Sequence, residues 1–600
     1  MLAFWSGLPL PIPDELIMNL RPALRSSAGL AAPLFLVLGA LPSGAQVAFG
    51  PAPSEVVQWT GEDDPLGMSR ISLTTTGEQV SQQSQWPSIS SDGRLVAFHS
   101  AGALVPEDTN GTVDVYVRNT QQGTISRIST TSTGGQGNGA SERPWISADG
   151  RYVAFQSDAT NFAPGLPPGI VQIYVKDLVS GALTLISKDA AGNPANGQCR
   201  TPSISADGSK VGFHSAADNF WPGDTNGLPD AFVADVATGA LTLISRNVAL
   251  GVMGDSASAN VVVSGDGKVA VFASLSKNLV VPDNNGAWDI YHYDLATDVL
   301  FRASVMPDGA ESTPKPNHQT GWPGGGSYKP GVSFDGRFIV WESEALNFAR
   351  NKNFLSDVFA KDLVTGKLWQ VSSDPAWNKG KNSAGRPRIT PDGRWVVFTS
   401  RAHNFVRDDT NSSTIWDVFV KDLVTGDIER VNLDPDGQDA NFQSWECDIS
   451  ADGRFVVFES QATNLILPDD NGVKADIYLV QRPAPLWADL GGATQGTSGT
   501  PVLEASGAYV PTGTTSFELT GAPANAVGMF EMKLGDTAPG TPSIVTPFVT
   551  NGAGEAGFQS TWPIEIPPGF SVYMQATVND PHTATGSTLS NVASWTTFGG

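Results

Sequence analysis

Cysteine is almost absent from this chain of 600 residues: Cys199 and Cys447 are its only two, too few for a disulfide-built scaffold. Histidine is nearly as scarce, with six copies, which leaves few of the usual general bases and metal ligands. Basic residues are outnumbered, 36 Lys and Arg against 60 Asp and Glu, for a formal charge of −24. That balance excludes a nucleic-acid partner, because phosphate contact needs a basic footprint, and it disfavours docking to an anionic membrane. There is no G-x-S-x-G elbow, no H-E-x-x-H helix and no phosphate-binding Gly loop. No apolar run reaches the ~20 residues that a membrane span needs. The nearest, Ala28 to Leu41 (AGLAAPLFLVLGAL), follows Arg21 and Arg25 and precedes Ser43-Gly44-Ala45. That is the layout of a cleavable secretory signal, with an uncleaved anchor as the alternative, and Met18 offers a second start. The sequence therefore predicts an extracytoplasmic protein (periplasm, cell surface or secreted) with no membrane span after cleavage.

What the chain has in abundance is repetition. An Asp-Gly pair recurs at Asp92, Asp149, Asp207, Asp266, Asp335, Asp392 and Asp452, in steps of 57, 58, 59, 69, 57 and 60 residues. Each pair precedes an unbroken apolar run (LVAF, YVAF, VGF, VAVF, FIVW, WVVF, FVVF) that lacks in/out alternation, the pattern of a strand buried on both faces. A polar loop, an aromatic-containing run, a Thr-Gly turn and a final run follow, as in RPRITPDGRWVVFTS…DVFVKDLVTGDIERV from Arg386 to Val431. Four strands at this period predict a propeller blade. The last copy stops at Arg482 without its fourth strand, while Met68 to Thr75 (MSRISLTT) matches that strand and precedes the first copy. Pairing the two would close the ring and remove its free edge.

The pattern P-x-I-S-x-D-G-R-x-V-A-F-x-S followed by D-V-F-V-K-D and T-G resembles the TolB-type, WD40-like (PD40) propeller repeat over about two thirds of the chain. The resemblance implies an all-β fold that serves as a binding platform, a docking module or, less often, an enzyme. The chain differs from the best-known members in having seven copies and no small α/β domain. The expected organisation is a targeting segment at 1–45, a linker at 46–65, a seven-bladed propeller at 66–483 and a C-terminal accessory domain at 484–600. The last reads as a β-sandwich, from short alternating runs such as TSFELTG and FSVYMQATV separated by turn residues.

Residues present in every copy belong to the scaffold. A Ser lies eight residues after each marker Asp, an Asn four further on in six copies, and His99 and His214 occupy equivalent strand positions, where packing is the simpler reading. The two cysteines fall in non-adjacent blades and read as separate thiols. In three loops, Asp108, Asn110 and Asp114, Asp224, Asn226 and Asp230, and Asp283, Asn285 and Asp289 place oxygen side chains at i, i+2 and i+6 around a Gly. Calcium would use such oxygens but needs 6 to 8 of them. An Asx turn pinned by the strand Asp explains the same spacing without a metal, so no cofactor is required and Ca²⁺ stays open.

The long, variable loops all leave one face of the predicted ring, which makes it the binding face. On it, the position six before each marker reads Trp86, Arg143, Thr201, Asn260, Lys329, Arg386 and Glu446, with Arg200, Tyr328 and Trp445 just before. The insertion from Met306 to Lys329 brings His318 and Trp322 towards the same opening. Basic and aromatic groups at a channel mouth suit an anionic or sugar-like ligand. The expectation is an exported, monomeric, non-catalytic propeller that binds a protein or polysaccharide on its long-loop face. The competing expectation is a lyase or hydrolase acting on an anionic carbohydrate at the mouth.

Overall fold

A computed structural model describes residues 67–314, 326–348, 355–407, 409–410 and 414–482, together with the strands between 488 and 596. The targeting segment and linker, with residues 315–325, which hold His318 and Trp322, lie outside the described residues.

Seven four-stranded antiparallel sheets follow one another along the chain. Blade one is typical: Ser84–Ile89 is innermost, followed outward by Leu95–Ser100, Asp114–Asn119 and Ile125–Arg127. Blade seven has three strands of its own, Ser444–Ile449, Phe455–Ser460 and Asp476–Gln481, and takes Met68–Arg70 as its outer fourth, with Met68 opposite Val480 and Arg70 opposite Tyr478. The ring is thus closed by its N-terminal strand. One apolar cluster joins the two ends of the array, Ile71, Ile89 and Phe98 packing with Val457, Ile477 and Leu479. The second strands are buried on both faces, as their unbroken apolar runs require: Val96, Ala97 and Phe98 in blade one, and Val456, Val457 and Phe458 in blade seven, have no exposed surface.

The repeated polar residues serve the turns. Asp92 accepts from Ser90 Oγ (2.7 Å) and from the Arg94 backbone N–H (3.0 Å), locking the Asp-Gly turn. Gly93 is left-handed (φ 74°), and a Cβ there would run into the Phe455 ring of the neighbouring blade, so turn and blade packing both require glycine. The Ser eight residues on (Ser100) accepts from Gly102 N–H at 3.0 Å and bonds Ser84. Cys199 stands where five of the other six blades have that inner Ser, 3.1 Å from Ser215 Oγ, and both cysteines are free and buried. Arg151, Arg337 and Arg394 after the turns pair with Asp177, Asp362 and Asp422 at the far end of the third strand.

Beyond the ring the chain forms a small β-sandwich of two sheets, one built around Val527–Leu534 and Ser571–Asn579 and the other of Val502–Ser506, Thr514–Thr520 and Ala556–Thr561. Among the described residues no helix is long and apolar enough to cross a membrane.

Candidate functional site

The mouth is built by one irregularity repeated seven times. Each innermost strand carries a register shift, between Gln85 and Ser88 in blade one for example, and the residue there is left-handed in every blade. These are Trp86 (φ 56°), Arg143 (52°), Thr201 (50°), Asn260 (54°), Lys329 (47°), Arg386 (56°) and Glu446 (23°). A left-handed backbone costs a non-glycine residue roughly 1–2 kcal/mol, so something must hold it. The holder is a side chain on the preceding blade. The N–H groups of Trp86, Arg143, Thr201 and Arg386 donate to Glu459 Oε2 (3.0 Å), His99 Nδ1 (3.2 Å), Gln156 Oε1 (3.0 Å) and Glu342 Oε2 (3.3 Å). The bulge turns each side chain towards the ring axis.

All seven of these residues line one central cavity of about 100 Å³, room for several waters or one small organic acid at ~10–15 Å³ per water-sized sphere. A second tier, four residues before each marker, closes it from within. Trp145 of blade two meets Arg388 of blade six across the axis, the guanidinium 4.3 Å from the indole centroid, and Asp448 lies in the same cavity wall. Asp448 accepts from the Ile89 N–H at 3.1 Å, and the Arg388 charge partly offsets the burial that pushes its carboxyl up.

The basic groups differ in how far they are satisfied. Lys329 pairs with Glu342 (3.6 Å) and Arg386 with Glu446 (2.6 Å). Arg143 lies over Trp86, 4.2 Å from the ring centroid, and its guanidinium makes no hydrogen bond or ion pair within the described residues; burial lowers its pKa, with Glu446 and Glu142 acting oppositely. Arg388 likewise has its Trp145 face and no bonded carboxylate. Two guanidinium forks therefore open on the cavity with their donors unused. The indoles stacked beneath them have one face covered, so they serve the arginines first.

Arg200, Tyr328 and Trp445 do not line the cavity; they sit one position earlier, opposite His214, Glu342 and Glu459 across the strand pair. His99 and His214 are held neutral by burial, at about 3 and about 4, and their Nδ1 atoms are engaged with the Arg143 N–H and the Thr201 hydroxyl. Burial, reinforced by Glu446, pushes Glu459 up to about 8. The lower-tier trio of Trp145, Arg388 and Asp448 escaped the sequence reading. It lies two residues beyond the tier that was read, and the meeting of blades two and six is a property of ring closure.

The three Asp-Asn-Asp loops come together as spaced. Asn110 donates to Asp114 (2.8 Å), Asn226 to Asp230 (3.1 Å) and Asn285 to Asp289 (3.0 Å). In blades one and four an arginine of the fourth strand lies among them. Arg127 Nη1 is 3.2 Å from Asp108 and 3.8 Å from Asp114, and Arg302 is 3.2 Å from Asp283 and 3.4 Å from Asp289. Arg430 and Arg70 do the same in blades six and seven. Blade three has Leu243 in that register, opposite Phe232. There burial pushes Asp230 up to about 6, with Asp224 adding to it against the Ser245 and Asn226 hydrogen bonds. Among the described residues no group of three or more His, Cys, Asp or Glu is placed to hold a metal ion.

No protein-family model matches the sequence, and no curated protein does. Solved propellers do. A protein assigned as TolB from Agrobacterium tumefaciens is 16% identical over 62% of this chain and 98% of its own, with a TM-score of 0.32. The WD40 repeats of RRP9 are 8% identical over 69% and 97%, at 0.34, and a Trypanosoma rangeli sialidase is 11% identical over 79% and 93%, at 0.29. At these values neither activity nor partner transfers, and the fold rests on its own strand pairings. By its seven four-stranded sheets and by the N-terminal strand that completes the last blade, the chain is a seven-bladed β-propeller.

Proposed function

We propose that this protein is an exported, non-catalytic binding propeller that takes a protein or glycan partner on its long-loop face by seating an anionic group of that partner in the mouth. The observation that carries the reading is the pair of unbonded guanidinium forks, Arg143 and Arg388, facing one cavity. A half-buried guanidinium that meets no protein acceptor among the described residues is open to a carboxylate, which binds it with two parallel bonds. Export is supported by the Ala28 to Leu41 segment behind its two arginines. A binding role is supported by the two histidines nearest the mouth, His99 and His214, which are neutral and engaged with the Arg143 N–H and the Thr201 hydroxyl.

The test is to incubate the purified protein with the source cell's envelope and extracellular-polymer fractions and to examine retained and released material. The expected result is a retained partner, no new soluble fragment, and retention reduced about tenfold by Arg143→Gln, the loss of roughly one charged hydrogen-bond pair. New small fragments in solution would make the mouth an active site instead.

A further inference from the structure

The charge of this chain is unevenly spread. Between Lys379 and Arg407, on blade six, it carries seven Lys and Arg against a single acid, Asp392, in a protein whose net charge is −24. Arg394 is spent on Asp422 and Lys379 pairs with Asp357. Arg386 pairs with Glu446, and with Arg388, Arg401 and Lys381 it leads out of the mouth. From Arg388 in the cavity the path passes to Arg386, whose guanidinium lies 5.8 Å from the Trp416 centroid, and across that indole to Arg401, 5.0 Å from the same centroid. Among the described residues Arg401 makes no hydrogen bond or ion pair through its guanidinium, and its buried Nε has no partner there. Lys381 follows at the exposed rim, its backbone N–H on Asn404 Oδ1 at 2.8 Å.

We propose that the mouth and this blade-six strip form one continuous binding surface for an acidic polysaccharide, one sugar acid seated in the cavity and the adjoining residues of the chain running over Trp416 and Arg401. The proposal rests on the reading of the mouth as an anion cup and assigns its partner. At about 100 Å³ the cavity admits the carboxylate-bearing edge of one sugar, with the rest of the ring at its mouth. Two observations favour a saccharide over an acidic peptide. The cavity wall is divided, with cations on blades two, five and six, neutral Thr201 and Asn260 on blades three and four, and the acceptors Glu446 and Asp448 on blade seven, which suits a ring that bears both a carboxylate and hydroxyls able to donate. The backbone N–H groups freed by the bulges at Trp86, Arg143, Thr201 and Arg386 are already taken by neighbouring blades, so the peptide-recognition route of strand addition is closed there. The acids elsewhere on the molecule do not repel such a chain at physiological ionic strength, where fields decay over roughly 8 Å.

The probes are mannuronate, mannuronate oligomers of two to eight residues, and oligo-aspartate of matched charge, titrated calorimetrically against the wild-type full chain, Arg143→Gln, and the double variant Lys381→Gln/Arg401→Gln. The expected result is affinity that rises about tenfold or more from monomer to tetramer and then levels. The double variant should abolish that gain while leaving monomer binding intact, and Arg143→Gln should weaken monomer and oligomer alike. Length-independent binding by the wild type would overturn the strip and leave the cup standing. Tighter binding of oligo-aspartate would overturn the polysaccharide, and binding of none of the probes would overturn both. Folding of each variant is read independently from its thermal midpoint, and a variant that melts early is replaced by Arg401→Lys, which keeps the charge but not the fork and should lose part of the length gain.

Discussion

Deleting the chain up to Thr75 should open the ring. The strand Met68–Arg70 supplies the fourth strand of blade seven, and its removal bares the edge of Asp476–Gln481. Ile71, 4% exposed, leaves the cluster that joins blades one and seven, a loss of about 1.5–3 kcal/mol for one side chain of this size. Asp476, with no exposed surface, loses the Ser72 hydroxyl (2.7 Å) and the Arg70 guanidinium (3.8 Å) together. Gln79 and Asn471 still donate to that carboxylate, so losing its counter-charge costs up to about 3–5 kcal/mol more. The truncated protein should therefore melt well below the full chain and associate through the bared edge, whereas a deletion stopping at Asp63 should change neither property. A synthetic peptide of residues 67–78 added in trans should restore the midpoint. An unchanged midpoint after removal of the strand would contradict closure by this segment.

The arginine slots carry the second large effect. Arg302 is the counter-charge to Asp283, Asp289 and Glu311, and the first two are almost fully buried. Arg302→Ala should destabilise the protein by about 3–5 kcal/mol at neutral pH, the cost of orphaning buried carboxylates. Burial already pushes Asp289 up to about 6, with Arg302 opposing, so its removal drives the carboxyl further up. A carboxyl raised above its unfolded value of ~3.9 costs stability above its folded pKa, and the cost is relieved as pH falls through that pKa. The gap between variant and wild type should thus narrow from pH 7.5 to pH 5, and a constant gap would show that lost packing, and not charge, is responsible. Blade three gives the converse. With Leu243 in the slot and Asp230 pushed up to about 6, Leu243→Arg should stabilise the protein by about 1–3 kcal/mol at pH 7.5, because the register matches Arg430 opposite Phe419 in blade six. That gain should shrink at pH 5.

The fold was legible because a repeat states its own boundaries: seven Asp-Gly markers, an apolar run after each, and a stray fourth strand at the wrong end. The upper tier of the mouth was legible for the same reason, since the one position that varies most among copies is where a ring can differ from itself. Three things were not. A left-handed Trp86 or Thr201 runs against local preference, and only the neighbouring blade's Glu459 or Gln156 makes it stable, a contact made across a blade boundary. The pairing of Trp145 with Arg388 depends on which blades face each other across the axis. The arginines that fill the acidic loops, Arg127 and Arg302, sit in the fourth strand, far along the chain from the loop spacing, and only the folded blade brings them to it.

The most direct test of the anion cup is a crystal structure of the protein soaked with mannuronate, compared with Arg143→Gln treated in the same way. The account predicts the carboxylate within hydrogen-bond distance of the Arg143 or Arg388 guanidinium, inside the ring of seven left-handed residues, and weak or absent density in the variant. Sugar bound only outside the mouth, or bound identically in both proteins, would contradict it.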